Sequence, residues 1–382
     1  MESDKYSQVT LKPTKYYNQV VKKMIKDKFF SEKEQFRSDL IYSQPQCFAP
    51  HVDVTRAKCG FGRGALPRLK KELQSNNPLV VRRAVTTISD LIFRPEELFY
   101  AIELQIPERL ANFLESDDSY LRERVGMTFK SIAAQSIGRD LIVKNVTIVQ
   151  KFAQGLRDRL AAVRIRMAET IEMLARSWVA AEKLCTLDFV DLIADIITFE
   201  KKDILIIHLE TLLSLFNLDV KKHAIEIGVF EKLVLLLERK DENILTGTLA
   251  CLAMLCREQL GKAKALEMDL LSTLKDMLND ERRPIHTKAV NIIAFVTITT
   301  PGKLRALELQ IMSRLLYLVS DHHSQELQLM ALKTLTNIAE APEGRMKLLK
   351  GHLENIKDIK TCNNEDTERH KQILLDVIQW KP

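Results

Sequence analysis

A glycine followed by a basic residue recurs along this 382-residue chain as Gly138-Arg139, Gly261-Lys262, Gly302-Lys303 and Gly344-Arg345. The first interval is three times the second, and the third nearly equals the second, so one period of about 41 residues runs through the chain, a length typical of tandem repeats. Six, nine and thirteen positions before the glycines stand Ile132, Phe129 and Val125; Leu255, Leu252 and Thr248; Val296, Ile293 and Ala289; and Ile338, Leu335 and Ala331. Those offsets share one face of a helix with about 3.6 residues per turn. The spacing therefore predicts an amphipathic helix that ends just ahead of each glycine.

Upstream of each such helix a shorter apolar helix is expected, its last turn marked by Leu73, Leu114, Leu156, Ile197, Leu237, Leu278 and Val319, which keep the same period to within one position. Polar breakers follow most of them: Ser75-Asn76-Asn77-Pro78, Ser116-Asp117-Asp118, Arg239-Lys240-Asp241 and Asn279-Asp280-Glu281. These read as turns and N-caps. A helical unit of this size cannot hide its apolar face alone, and tandem stacking of such units is the signature of a HEAT or armadillo solenoid. Seven units fit between residues 65 and 353, with boundaries near 106, 146, 189, 229, 270 and 311; the third and fourth lack the glycine. Residues 354–382 hold one polar helix (365–378) and are expected to cap the array, and 1–64 do not follow the repeat.

Armadillo is preferred to HEAT because a glycine at the corner before a short helix can adopt the positive φ that such a corner needs. The expected fold is all-α: a right-handed armadillo solenoid of about seven repeats with a C-terminal cap. Composition agrees. Gly and Pro total 23 of 382 residues, too few for a turn-rich β sandwich or barrel, and 46% apolar residues supply a large core.

The longest apolar run, 204–218, is interrupted by His208 and Glu210 and is too short to span a bilayer, so it reads as a core helix. Glu2, Asp4 and Lys5 precede no apolar stretch, so no secretory leader is expected. Six cysteines (Cys47, Cys59, Cys185, Cys251, Cys256 and Cys362) form no CxxC pair, which fits free thiols in a reducing, cytosol-continuous setting. A net charge of +6 is mild for this length and does not call for nucleic acid. No membrane partner is expected either.

Within 1–64, Tyr16, Tyr17, Val20, Val21, Met24, Ile25 and Phe29 recur at helical spacing among Lys15, Lys22, Lys23, Lys26 and Lys28, which predicts a basic amphipathic helix suited to docking on a protein partner. Residues 43–64, with Pro45, Pro50, Gly60, Gly62 and Gly64, read as a linker or wrapped arm.

The sequence holds no nucleophile elbow, zinc-protease motif, P-loop or EF-hand, so no catalytic residue and no cofactor is expected. Gly60-Phe61-Gly62-Arg63-Gly64 lacks the strand and spacing of a dinucleotide loop. His322-His323 has no ligand partner at a suitable spacing, and no metal site is assigned. Cys251 and Cys256 are expected to be buried as small apolar groups.

A second column of basic residues follows the period: Arg83, Arg124, Arg166 and Lys288, with Arg82, Arg122 and Arg164 beside them. On the third helix of each unit they would line a concave, positive ladder suited to an acidic peptide, unless they are solvated or pair with Glu123 and Glu169.

Three segments carry a family resemblance: the run from Gly60 through Gly64 continued by Ala65-Leu66-Pro67-Arg68-Leu69, the run Ala339-Glu340-Ala341-Pro342-Glu343-Gly344-Arg345, and Val377-Ile378-Gln379-Trp380-Lys381-Pro382. Together they resemble the radial spoke head protein 14 family of armadillo-repeat proteins in cilia and flagella, over residues 51 to 382. The resemblance implies a non-enzymatic scaffold of the axonemal radial spoke, partnered by other spoke or axonemal proteins and located in the cilium or flagellum. It transfers no catalytic residues, and 1–45 read as an added extension. The competing reading is a soluble armadillo adaptor for transport or signalling. Such adaptors hold basic peptides with Trp and Asn ladders; here Asn337 has Lys333 four positions earlier, and the only tryptophans are Trp178 and Trp380.

Overall fold

The Asn77 side chain accepts the Leu79 amide and Pro78 follows at the first helical position, so the chain enters a long helix, Pro78–Leu91, with its exposed donors satisfied. Asp118 does the same for Ser119–Ala133, and Asp241 for Glu242–Leu255, accepting from Asn243 and Ile244. The polar breakers at these three positions thus act as the expected caps. At the fourth, Asp280 accepts from the Arg282 amide just ahead of Arg283–Val296.

The computed structural model describes residues 64–320, 324–361 and 364–380, together with Gln19, Lys22 and Lys23. The rest of the expected N-terminal helix and linker, Gly60 and Gly62, His322-His323, Cys47, Cys59 and Cys362 lie outside the described residues. The described residues form helices and no strand. The chain makes two compact units, Met1–Lys183 and Leu184–Pro382.

In the first unit, the long helices Pro78–Leu91, Ser119–Ala133 and Ala161–Ala175 pack side by side in order. Before the second and third come a first helix (Pro95–Glu103, Ser136–Lys144) and a second helix (Ile106–Ala111 with its 3-10 extension Asn112–Glu115, and Val146–Gly155). The second unit repeats the theme with Lys202–Leu215, Glu242–Leu255, Arg283–Val296, Gln325–Ala339 and Glu365–Gln379 in successive contact. This three-helix order is that of an armadillo solenoid. All seven apolar residues named at the ends of the second helices, Leu73 through Val319, are buried, and each fully buried Leu or Ile contributes about 1.5–3 kcal/mol. Near the end of the second unit, Glu365–Gln379 packs on Gln325–Ala339 in the place of a further third helix, after Pro342–Gly351 and Leu353–Lys357.

The glycine expectation requires correction. Gly138, Gly261, Gly302 and Gly344 do not have positive φ, and they do not form the corner; each is the third residue of a first helix (Ser136–Lys144, Gln259–Glu267, Thr300–Glu308, Pro342–Gly351). What excludes a side chain is proximity. A Cβ on Gly302 would lie 2.1 Å from the Val296 carbonyl oxygen, and one on Gly138 2.0 Å from that of Ile132. The first helix is pressed end-on against the last turn of the preceding third helix. Where Val220 occupies the equivalent place, the first helix begins only at Lys221.

Positive φ falls instead at the junction of first and second helices. Gln105 (56°), Asp188 (57°), Gly228 (82°), Asp269 (47°) and Gln310 (58°) each stand directly before a second helix. Four of these five corners are built without glycine.

Candidate functional site

The six arginines of the expected ladder all belong to the first unit and divide into two environments. Arg82, Arg122 and Arg164 hold the turns between repeats. The Nε of Arg82 donates to Asp118 Oδ2 at 2.6 Å, and its guanidinium lies 5.4 Å from the Tyr120 ring centroid. The Asp118 hydrogen bond raises the pKa of Arg82, and the same contact holds the Asp118 carboxyl below the usual carboxylate range. Arg122 grips Asp158 with two nitrogens, Nε to Oδ2 at 2.7 Å and Nη2 to Oδ1 at 3.3 Å, while Nη1 donates to the carbonyls of Ser116 and Asp117. Burial pushes the Asp158 carboxyl up, but the Arg122 and Leu160 hydrogen bonds outweigh it and the pKa is lowered. Arg164 Nη1 donates to the carbonyls of Asp158 and Arg159 at 2.9 and 3.2 Å. These three side chains are structural clasps.

Arg83, Arg124 and Arg166 form the inner column, one per long helix and one repeat period apart. Arg124 Nη2 reaches Asp90 Oδ1 at 3.1 Å. Arg166 Nη1 donates to Glu169 Oε2 at 3.0 Å, and its Nε lies 3.9 Å from Glu123 Oε1, beyond hydrogen-bond reach. Lys130 Nζ takes the other Glu169 oxygen at 2.9 Å. The pairing with Glu123 and Glu169, weighed from the sequence, is thus present at Arg166. Among the described residues no carboxylate pairs with Arg83. One feature unites the three: the Nε of Arg83, of Arg124 and of Arg166 is buried without a hydrogen-bond acceptor.

Lys288 lies in the second unit, half-buried on Arg283–Val296. The long helices there also carry half-buried Ile206, Ile207, Met254, Phe295 and Met330. Asn337, the residue that a peptide-binding Asn ladder would use, donates instead to the Ala294 carbonyl at 2.9 Å and ties two neighbouring third helices together.

Spacing alone did not reveal the acceptors of the clasps. Asp118 and Asp158 each lie 36 residues after their arginine, a signal present in the sequence once the period is subtracted. The structure also joins two of the segments that carry the family resemblance: the Arg345 guanidinium stacks 4.9 Å from the Trp380 ring centroid, beside Glu340, Asp376 and Val377.

Among the described residues, no three His, Cys, Asp or Glu side chains converge to hold a metal ion, and no helix is long and apolar enough to cross a membrane. Cys251 and Cys256 are buried as expected, and burial pushes both thiols up to about 12.

Comparison with solved structures places the fold. The chain is similar to an engineered protein determined by the Northeast Structural Genomics Consortium, with a TM-score of 0.72 and 17% identity over 82% of this chain and 78% of that one. It is similar also to the designed armadillo repeat protein YIII(Dq.V1)4CPAF, solved in complex with the peptide (KR)4, with a TM-score of 0.55 and 19% identity over 60% of this chain and 98% of that one. No family model matches the chain. At these identities the likeness concerns the fold alone: the architecture is an armadillo-type helical solenoid.

Proposed function

We propose that this chain is a non-enzymatic scaffold that binds acidic segments of protein partners along the long-helix face of its first unit, and that it does so within the axonemal radial spoke. The binding reading is carried by the inner column, three guanidiniums in one register whose buried Nε atoms no acceptor satisfies. An unpaired buried donor costs on the order of 1–3 kcal/mol, more when it belongs to a charged group. A carboxylate entering beside the column supplies that acceptor once the guanidinium pivots toward it. Arg83 is the natural first contact, because it carries no internal ion pair to surrender; Arg124 and Arg166 exchange Asp90 and Glu169 for partner carboxylates. Arginine suits this task because its planar fork matches a carboxylate bidentately. The designed protein's complex with (KR)4 supports the use of such stacks for extended peptides, and the arginine column calls for the opposite charge in the peptide.

The spoke setting rests on the family resemblance, and a stacked array suits it mechanically, since it offers a long surface to several partner segments at once. Fluorescence anisotropy of the full chain with acidic and basic peptides of equal length tests the binding reading. The acidic peptide is expected to bind more tightly, and Arg83→Ala with Arg124→Ala to abolish the preference; tighter binding of the basic peptide overturns it. A tagged chain is expected to stay with demembranated axonemes until high salt. Release with detergent alone would favour the soluble adaptor.

A further inference from the structure

Each long helix of the first unit carries one arginine of the inner column, Arg83, Arg124 or Arg166, as its sixth residue. One turn nearer the N-terminus, on the same face, the second residues of these helices are Leu79, Tyr120 and Ala162. Leu79 is 55% exposed and Tyr120 41%. A helix dipole favours acidic side chains in the first turn. The long helices of the second unit put Asp203, Asn243, Pro284, Glu326 and Asp366 at this position, none of them large and apolar. One exposed leucine needs no explanation. Two large apolar side chains held in water in one register, a turn away from guanidiniums whose buried Nε atoms lack an acceptor, mark a docking surface.

Tyr120 is fixed before any partner arrives. The Thr86 hydroxyl donates to the Arg82 carbonyl at 2.9 Å, so the Tyr120 hydroxyl is the donor to Thr86 Oγ1 at 2.8 Å. The Arg82 guanidinium covers the ring at 5.4 Å. A ring held at both ends loses little freedom on docking. On the other flank of the column the ninth residues are Thr86, Met127 and Glu169, of which only Met127 is apolar, and its sulfur is turned to Arg124 Nη1 at 3.5 Å. The apolar strip therefore lies on the N-terminal flank.

We propose, resting on the acidic-segment reading of this face, that the partner is an extended segment of alternating character: carboxylates at every second residue meet Arg83 and Arg124, and large apolar side chains between them cover Leu79 and Tyr120. Successive side chains of an extended chain point to opposite sides. One strand laid across the helices thus serves both rows, which lie about 6 Å apart along the helix axis. Two extended residues advance about 6.6 Å and neighbouring helix axes lie about 8–10 Å apart, a difference that the long arginine side chains span. A wholly acidic run meets the arginines alone and leaves the strip in water.

Fluorescence anisotropy of the full chain with three labelled peptides tests this: four Glu-Leu pairs in alternation, four Glu-Ser pairs in alternation, and the Glu-Leu composition rearranged into two blocks. The alternating Glu-Leu peptide is expected to bind roughly five- to twentyfold more tightly than Glu-Ser, the factor that covering a half-exposed leucine and tyrosine implies. It is also expected to bind more tightly than the block peptide. Leu79→Ser with Tyr120→Ser is expected to erase the advantage and to leave Glu-Ser affinity unchanged. Leu79→Ser alone alters a side chain already more than half in water, and is expected to remove part of the advantage even if the double variant fails to fold. Equal affinity for Glu-Leu and Glu-Ser, equal affinity for the alternating and block peptides, or an undiminished advantage in Leu79→Ser overturns the alternating partner and leaves the acidic-segment reading standing. Glu-Ser binding no tighter than that of a Lys-Ser control overturns that reading and this inference together.

Discussion

Arg122 and Asp158, 36 residues apart, close a two-pronged ion pair, and Asp158 Oδ1 also accepts the Leu160 amide at 2.8 Å. One carboxylate therefore both shapes the turn before Ala161–Ala175 and anchors it to the preceding long helix. Arg82 and Asp118 repeat the relationship at the same offset. The side chains differ in exposure, 17% and 11% for Arg122 and Asp158 against 46% and 21% for Arg82 and Asp118.

That difference decides how much each clasp matters. Arg122→Ala leaves the half-buried Ser116 carbonyl and the largely buried Asp158 carboxylate without their donor, and is expected to destabilise the fold by about 1–3 kcal/mol. Arg82→Ala frees an exposed pair that water can replace, so its effect is expected to be much smaller. Urea unfolding of both variants measures the order; equal midpoints would remove the clasp interpretation.

Gly302 is required by contact rather than by conformation. A Val side chain there drives Cβ into the Val296 carbonyl, a backbone atom that cannot turn aside, and Gly302→Val is expected to lose roughly 1–3 kcal/mol. Gly351, with open space around its Cα, is the control: Gly351→Ala is expected to stay within about 0.5 kcal/mol of wild type. Thermal unfolding compares the two, and a Gly302→Val variant as stable as Gly351→Ala sinks the argument.

The same glycines mark what periodicity makes legible. The shared offsets before each glycine locate the third helices because burial imposes them directly: Phe129, Leu252, Ile293 and Leu335 are all fully buried. Periodicity also finds the glycine slot, but it cannot say why a glycine is there. Close approach to a carbonyl and positive φ leave the same mark in a sequence. The actual left-handed corners are hidden because Gln105, Asp188, Asp269 and Gln310 tolerate positive φ at modest cost, so no glycine announces them. The period gives the positions of the six arginines. Their division into clasps and an inner column depends on partners one repeat away, such as Asp90 for Arg124, which charge spacing along one helix does not contain.

The buried thiols give a direct probe of packing. With their pKa values pushed up to about 12, Cys251 and Cys256 hold almost no thiolate at neutral pH. Both are expected to resist a water-soluble thiol reagent in the folded protein and to react on addition of denaturant. Mass spectrometry of the modified sites checks this; rapid native labelling of Cys251 would mean that Glu242–Leu255 opens far more readily than its burial implies.

Acid should loosen the turns before it dissolves the core. The Arg282 guanidinium donates to both oxygens of Asp280, at 2.8 and 2.7 Å, and holds its carboxyl at about 2 against an ordinary value of 3.8. The folded state therefore binds fewer protons than the unfolded one across that interval, so the contribution is fully present above about pH 4 and is lost as pH falls toward about 2. Asp118, Asp158, Asp241 and Asp269 are shifted in the same direction and add to the slope. Asp280 is only half-buried and water reaches the pair, so screening limits its share, and the comparison must be made between variants at one low ionic strength. Asp280→Asn is expected to be less stable than wild type at about pH 5, with the gap closing as wild type protonates below about pH 3. Urea midpoints taken across that range read the gap, and one that stays constant with pH would show that the Asp280 and Arg282 charges contribute nothing to holding the turn.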